Sequence, residues 1–138
     1  MAVNGQDFYN FATACIKQTD EISLRNAVGR VYYGIYHDVC SKLEKCPSPP
    51  THIGVSDYLR DTAWLSGYEP FDKFKMIRLS VFLKSLHTQR KWADYSLNIE
   101  LTKADAETAM NMAATAMSVS KQMYEEVYPQ DDVSSETD

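Results

Sequence analysis

The chain has 138 residues with a normal share of apolar side chains, enough for one domain that buries a core without metal or disulfide staples. Its net charge of −5 is unevenly spread: Glu125 to Asp138 holds six acids and no base, which leaves residues 1–124 with 14 bases against 13 acids. That balance excludes indiscriminate binding to DNA but not a local phosphate site, since Lys73 to Lys91 contains six bases and no acid.

The first predicted helix covers about residues 5–18, with Phe8, Phe11, Ala12, Cys15 and Ile16 on one face. A second runs from about Leu24 to Lys45 behind Ser23 as its N-cap, and the prolines of CPSPP stop it. GVSDYLRDTAWL reads as a short helix closed by the SGYEP turn, and a longer helix covers about Phe71 to Trp92. Thr102 and Asp105 match a capping box and open a last helix to about Val127, lined by Ala106, Ala109, Ala113 and Ala116. PQDDVSSETD reads as a solvated acidic tail, which puts the domain at 1–128 and the tail at 129–138. Nothing alternates with a period of two. The expected fold is therefore all-α, an antiparallel up-and-down bundle of four main helices plus a short one.

MAVNGQDFYN has neither the basic start nor the apolar run of a signal peptide, and no apolar stretch nears the ~20 residues of a membrane helix. A cytoplasmic protein with no membrane association is expected. Cys15, Cys40 and Cys46 follow no CxxC spacing and read as packed free thiols. His37, His52 and His87 form no metal-ligand spacing with them, and there is no glycine-rich phosphate loop, so no metal and no cofactor are expected.

The stretch RNAVGRVYYGIYHD carries the chemistry. At ~100° per residue, Leu24, Val28, Val31, Ile35 and Val39 make one apolar stripe, widened by Tyr32, Tyr36 and Leu43. Asn26, Arg30, Tyr33, His37 and Ser41 line the opposite sector. Ordinary exposed faces are dominated by Lys and Glu, whereas this one holds groups suited to directional hydrogen bonds. Arg30 and His37 stand two turns apart, roughly 10 Å along the axis, and their side chains can converge on one phosphodiester. Arginine offers a charged fork for phosphate oxygens, and imidazole exchanges protons near neutral pH. Together they suffice for RNA cleavage without metal: imidazole draws the proton from a ribose 2′-hydroxyl, and arginine stabilises the charge on the phosphoryl oxygens. Tyr33, on the same line, joins the candidate site.

RVYYGIYH resembles the helix-two signature of the HEPN domain family, an arginine followed after six residues by a histidine, and LHTQRKWADY (residues 86–95) resembles a second stretch of one prokaryotic branch of it. The resemblance covers about residues 5–127 and implies a HEPN-like helical bundle, usually a homodimer with the helix-two motifs of both subunits meeting in a cleft. Many members are metal-independent endoribonucleases of toxin–antitoxin, phage-defence or RNA-processing systems. Others are non-catalytic modules that bind RNA or nucleotides, or that dimerise. Carried over, Arg30 would stabilise the phosphate and His37 would act as general base or acid, with Asn26 and Tyr33 positioning the substrate. A nucleotidyltransferase-type antitoxin is the implied partner. Active members often place Asn, Asp or His directly after the arginine, where this chain has Val31; Asn26, one turn earlier, is the candidate substitute. Lys73, Ser80, Lys84, His87 and Lys91 form a stripe on the third long helix that reads as an RNA-backbone track, from which Lys84 and Lys91 are taken as substrate-binding candidates. Asp94 is expected to pair with a basic group and order the helix end.

Overall fold

Five helices account for the regular structure in the computed structural model, which describes residues 3–130: α1 (Gly5–Cys15), α2 (Glu21–Lys42), α3 (His52–Asp61), α4 (Lys73–Tyr95) and α5 (Lys103–Val127). There is no strand among the described residues, so the chain is all-α. Residues 131–138 of the predicted tail lie outside the described residues.

Each helix opens on a short polar side chain that takes up an otherwise orphaned N–H three residues on. The acceptors are Asn4 for Asp7 (3.0 Å), Asp20 for Ser23 (3.1 Å), Thr51 for Gly54 (3.0 Å), Asp72 for Lys75 (2.9 Å) and Thr102 for Asp105 (3.2 Å). The capping box of Thr102 and Asp105 opens α5 as expected, and the helix runs to Val127. For α2 the cap is Asp20 rather than Ser23, because the Asp20 carboxylate takes both the Ser23 N–H and its hydroxyl. A carboxylate also suits the positive end of the helix dipole. The helix ends at Lys42, short of Lys45, where the Glu69 carboxylate accepts the N–H groups of Glu44 and Lys45, both at 2.8 Å, and draws the chain aside. Capping by Thr51 starts α3 at His52, two residues before the predicted start, and Asp72 shifts α4 to 73–95.

The apolar stripe of α2 is buried throughout, as are Tyr32, Tyr36, Leu43 and, in α5, Ala106, Ala109, Ala113 and Ala116. Helix α2 packs against α1, α4 and α5, while α3 packs only on α4 among the main contacts. Pairings such as Arg25 with Ala93 and Tyr33 with Arg90 show that α4 runs opposite to α2. No helix of the described residues is long and apolar enough to cross a membrane.

Two features fix what faces the site. Helices α1 and α2 cross backbone to backbone: a Cβ on Gly34 would lie 3.0 Å from the Gly5 carbonyl oxygen, and one on Gly5 only 2.4 Å from that of Gly34. This crossing buries Ala12 but turns Phe11 outward, where it is 54 % exposed rather than interior as its spacing suggested. It also lays Phe8 over Tyr33 and His37. At the other end, the buried Arg25 donates from Nη1 to the carbonyl of Ala93 (2.9 Å) and from Nη2 to that of Ile99, while Glu21 holds it at 2.8 Å. One guanidinium thus closes the end of α4 and the segment leading to α5.

Gly34→Ala is expected to cost about 1–3 kcal/mol of stability through overpacking. Arg25→Ala, which orphans helix-end carbonyls, is expected to cost about 2–4 kcal/mol. Urea denaturation checks both; an unchanged midpoint would contradict either.

Candidate active site

Tyr33 is the hub of the polar face. Its ring lies 4.9 Å from the Arg30 guanidinium carbon and 5.3 Å from that of Arg90, so two cations flank one π-system. Arg90 Nη2 donates to the Tyr33 hydroxyl at 2.8 Å. Asp94 pairs with Arg90 Nε at 3.1 Å, the structural pairing expected for Asp94, although the buried Nε–H finds no well-aligned acceptor. A Cβ on Gly29 would come within 3.3 Å of an Asp94 carboxylate oxygen, so the absence of a side chain there lets α4 approach.

His37 stacks on Tyr33 with centroids 6.0 Å apart and planes 22° apart, and Phe8 covers it from α1 at 5.3 Å. Its ring is exposed at the surface, but partial burial pushes its pKa below the ordinary imidazole value. Phe8 and Val3 are shared walls of two adjoining hollows. One, of about 170 Å³, is lined also by Asp7, Phe11 and Arg30; the other, of about 370 Å³, by Asn4, Gly5, His37 and Ser41. Arg30 and His37 therefore open on neighbouring spaces with the Phe8 ring between them.

The predicted substrate-binding residues divide. Asn26 lies exposed on α2 one turn before Arg30 and makes no side-chain hydrogen bond among the described residues. Lys91 is exposed beside Arg90, and its charge bears on His87. Lys84 is elsewhere, in a groove of about 300 Å³ between α3 and α4 lined by Arg60, Ser80, Val81, Ser85 and Thr88. The stripe predicted on α4 is interrupted, because Ser80 is buried against Ser56 and His87 is half-covered.

Two imidazoles join the hub that the spacing did not assign to it. His52, the first residue of α3, lies 4.8 Å from the Tyr36 ring and 6.0 Å from that of Tyr33. Its Nδ1 shares a 2.6 Å hydrogen bond with the Tyr32 hydroxyl. Burial raises the Tyr32 phenol far above its usual pKa, so it stays protonated. His87 stacks on His52 with centroids 4.7 Å apart. Burial first, then the charges of Arg90 and His37, lowers the pKa of His52; burial, His52, Lys91 and Arg90 lower that of His87. All three histidines of the chain thus sit around one tyrosine cluster. The signal was present in a weak form: His87, Arg90 and Asp94 repeat at helical spacing, and Thr51 is a capping residue that makes His52 the start of a helix rather than part of a loop.

Cys15, Cys40 and Cys46 are unbonded and half-buried, and burial pushes the Cys40 thiol up to about 12. Among the described residues no three or more His, Cys, Asp or Glu side chains are grouped to hold a metal ion. No protein-family model, curated protein or solved structure matches the chain.

The histidines carry a pH signature. The folded chain protonates them less readily than the unfolded chain, where imidazole titrates near ~6.5, so stability rises with pH across that window. Stability from this source is complete above about pH 6.5 and is lost as pH falls from there through the lower folded-state values. NMR titration of the three imidazoles is expected to give midpoints below ~6.5; midpoints at or above it would contradict the burial and charge argument.

Proposed function

We propose that the protein is a metal-independent endoribonuclease of the HEPN type, built on a HEPN-like antiparallel bundle. The observation that carries this reading is the gathering of Arg30 and His37 on the ring of Tyr33, at an accessible face. A phosphodiester seated there meets guanidinium charge from Arg30 for its non-bridging oxygens and an imidazole that exchanges a proton with the attacking or leaving oxygen. Tyr33 fixes the relative position of the two groups, Asn26 offers an amide to the same strand of RNA, and Lys91 extends the positive surface. Lys84 serves only an RNA long enough to pass over α4.

In this reading the protein works as a cytoplasmic homodimer. A second copy packed on the α1–α2 face, where Phe11 and Val3 are exposed, would bring a second Arg30 and His37 to the same crevice. A nucleotidyltransferase-type antitoxin is the partner that would hold such an enzyme in check. One observation favours the alternative, a non-catalytic RNA- or nucleotide-binding and dimerisation module. Val31, which follows the arginine, is wholly buried in the core and supplies no polar group to the site.

Cleavage of a mixed RNA pool in EDTA separates the two. Wild-type protein is expected to cut it, His37→Ala to lose about 10²–10⁴-fold in rate, and Arg30→Ala about 10²–10³-fold. Melting temperatures should change little, because His37 is at the surface. An uncut pool, with RNA still bound, would leave the binding module as the function.

A further inference from the structure

Attack by a ribose 2′-hydroxyl requires two proton transfers, one off the attacking oxygen and one onto the departing 5′-oxygen. In an in-line displacement these oxygens stand on opposite sides of the phosphorus, so one imidazole cannot serve both at once. We propose that His52 is the second proton-transfer residue of this site, working with His37 on the same phosphodiester. The proposal rests on the ribonuclease reading and adds a residue to it.

The two imidazoles come from different elements, α2 and the first turn of α3, yet share the same pair of phenols. His37 lies 6.0 Å from the Tyr33 ring and 5.3 Å from the Tyr36 ring; for His52 the separations are 6.0 and 4.8 Å. His37 lies nearly parallel to Tyr33, whereas His52 meets it at 63°, so they take different positions about one centre. Arg30 and Arg90 flank that centre and supply the charge an anion needs. The Tyr32 hydroxyl occupies Nδ1 of His52 at 2.6 Å and holds the ring, leaving Nε2 as the nitrogen that exchanges protons.

The neighbours set the order of events. His52 faces Tyr32, Tyr33, Tyr36 and His37 from α2, and His87 and Arg90 from α4. Arg90 and His37 both disfavour a positive charge on it, over and above burial, whereas burial alone acts on His37. With Nδ1 of His52 donating to the Tyr32 oxygen, its Nε2 carries the lone pair a base needs, so His52 takes the role of base and His37 that of acid. Nε2 of neutral His52 takes the 2′-hydroxyl proton as the 2′-oxygen bonds to phosphorus. The bond from phosphorus to the 5′-oxygen breaks, and that oxygen takes its proton from His37, which reacts in its protonated form. The products are a 2′,3′-cyclic phosphate and a 5′-hydroxyl, with proton exchange through water resetting both rings.

An RNA whose scissile 5′-oxygen is replaced by sulfur tests this, because a thiolate leaves without an acid. His52→Asn is the main variant, since its amide can keep the Tyr32 contact while Nε2 is removed; His52→Gln is carried alongside, with circular dichroism to establish folding. On ordinary RNA both His52→Asn and His37→Ala are expected to lose about 10²–10⁴-fold. On the sulfur-bridged RNA, His37→Ala should recover to near the wild-type rate and the His52 variants should not. Recovery of both or of neither, or folded His52 variants that cut ordinary RNA at the wild-type rate, would overturn the role of His52. Wild-type protein that cuts neither substrate would instead bring down the ribonuclease reading itself.

Discussion

The Tyr33 hydroxyl accepts a hydrogen bond from Arg90, and through it α2 and α4 share one centre. The contact depends on a short chain of causes. Gly29 has no side chain, so Asp94 can come close to α2; Asp94 holds Arg90 by its Nε; Arg90 then reaches the phenol. Because α4 is registered in this way, His87 lies beside the start of α3, and His52 is brought to the same tyrosines. Burial first, and then the charge of Arg90 among others, disfavours a positive charge on His52 and His87 and lowers their pKa values. The charge of Arg90 is itself paired with Asp94.

Helix α1 is the second determinant. The contact of Gly5 with Gly34 allows it to lie close on α2, and Phe8 then roofs Tyr33 and His37. That roof partly desolvates the imidazole and divides the surface into an Arg30 side and a His37 side. An extended, negatively charged chain bent around an aromatic ring fits this division better than a compact ligand filling one cavity. Both hollows share Val3 and Phe8 as walls, so on the proposed reading an RNA strand lies across them rather than entering either.

Much of the architecture was legible in the residues. The stripe from Leu24 to Val39 is buried as its spacing implies, and the capping box at Thr102 opens the last helix where it should. The line from Arg30 through Tyr33 to His37 was legible because it lies within one helix, where spacing alone fixes the face. What joins it from other helices was not. Arg90 stood out only as part of the LHTQRKWADY stretch, His52 only as a histidine without metal-ligand spacing, and Arg25 had no assigned part, because pairing across helices depends on their register and on glycine contacts. Ser23 and Asp20 are both good caps, so the start of α2 was decided by which carboxylate or hydroxyl could reach the free N–H. Phe11 misled for a similar reason: it carries the right periodicity for the core, but the crossing at Gly34 turns it outward.

The central claim is that a ribose hydroxyl, activated and charge-stabilised on the face around Tyr33, breaks its own adjacent phosphodiester. The most direct measurement is the chemistry of the ends left on RNA after cutting. The account requires 2′,3′-cyclic phosphate and 5′-hydroxyl ends, and no cut where the 2′-hydroxyl of the target nucleotide is replaced by hydrogen. Ends carrying a 5′-phosphate and a 3′-hydroxyl, or cleavage that persists at the deoxy position, would contradict it.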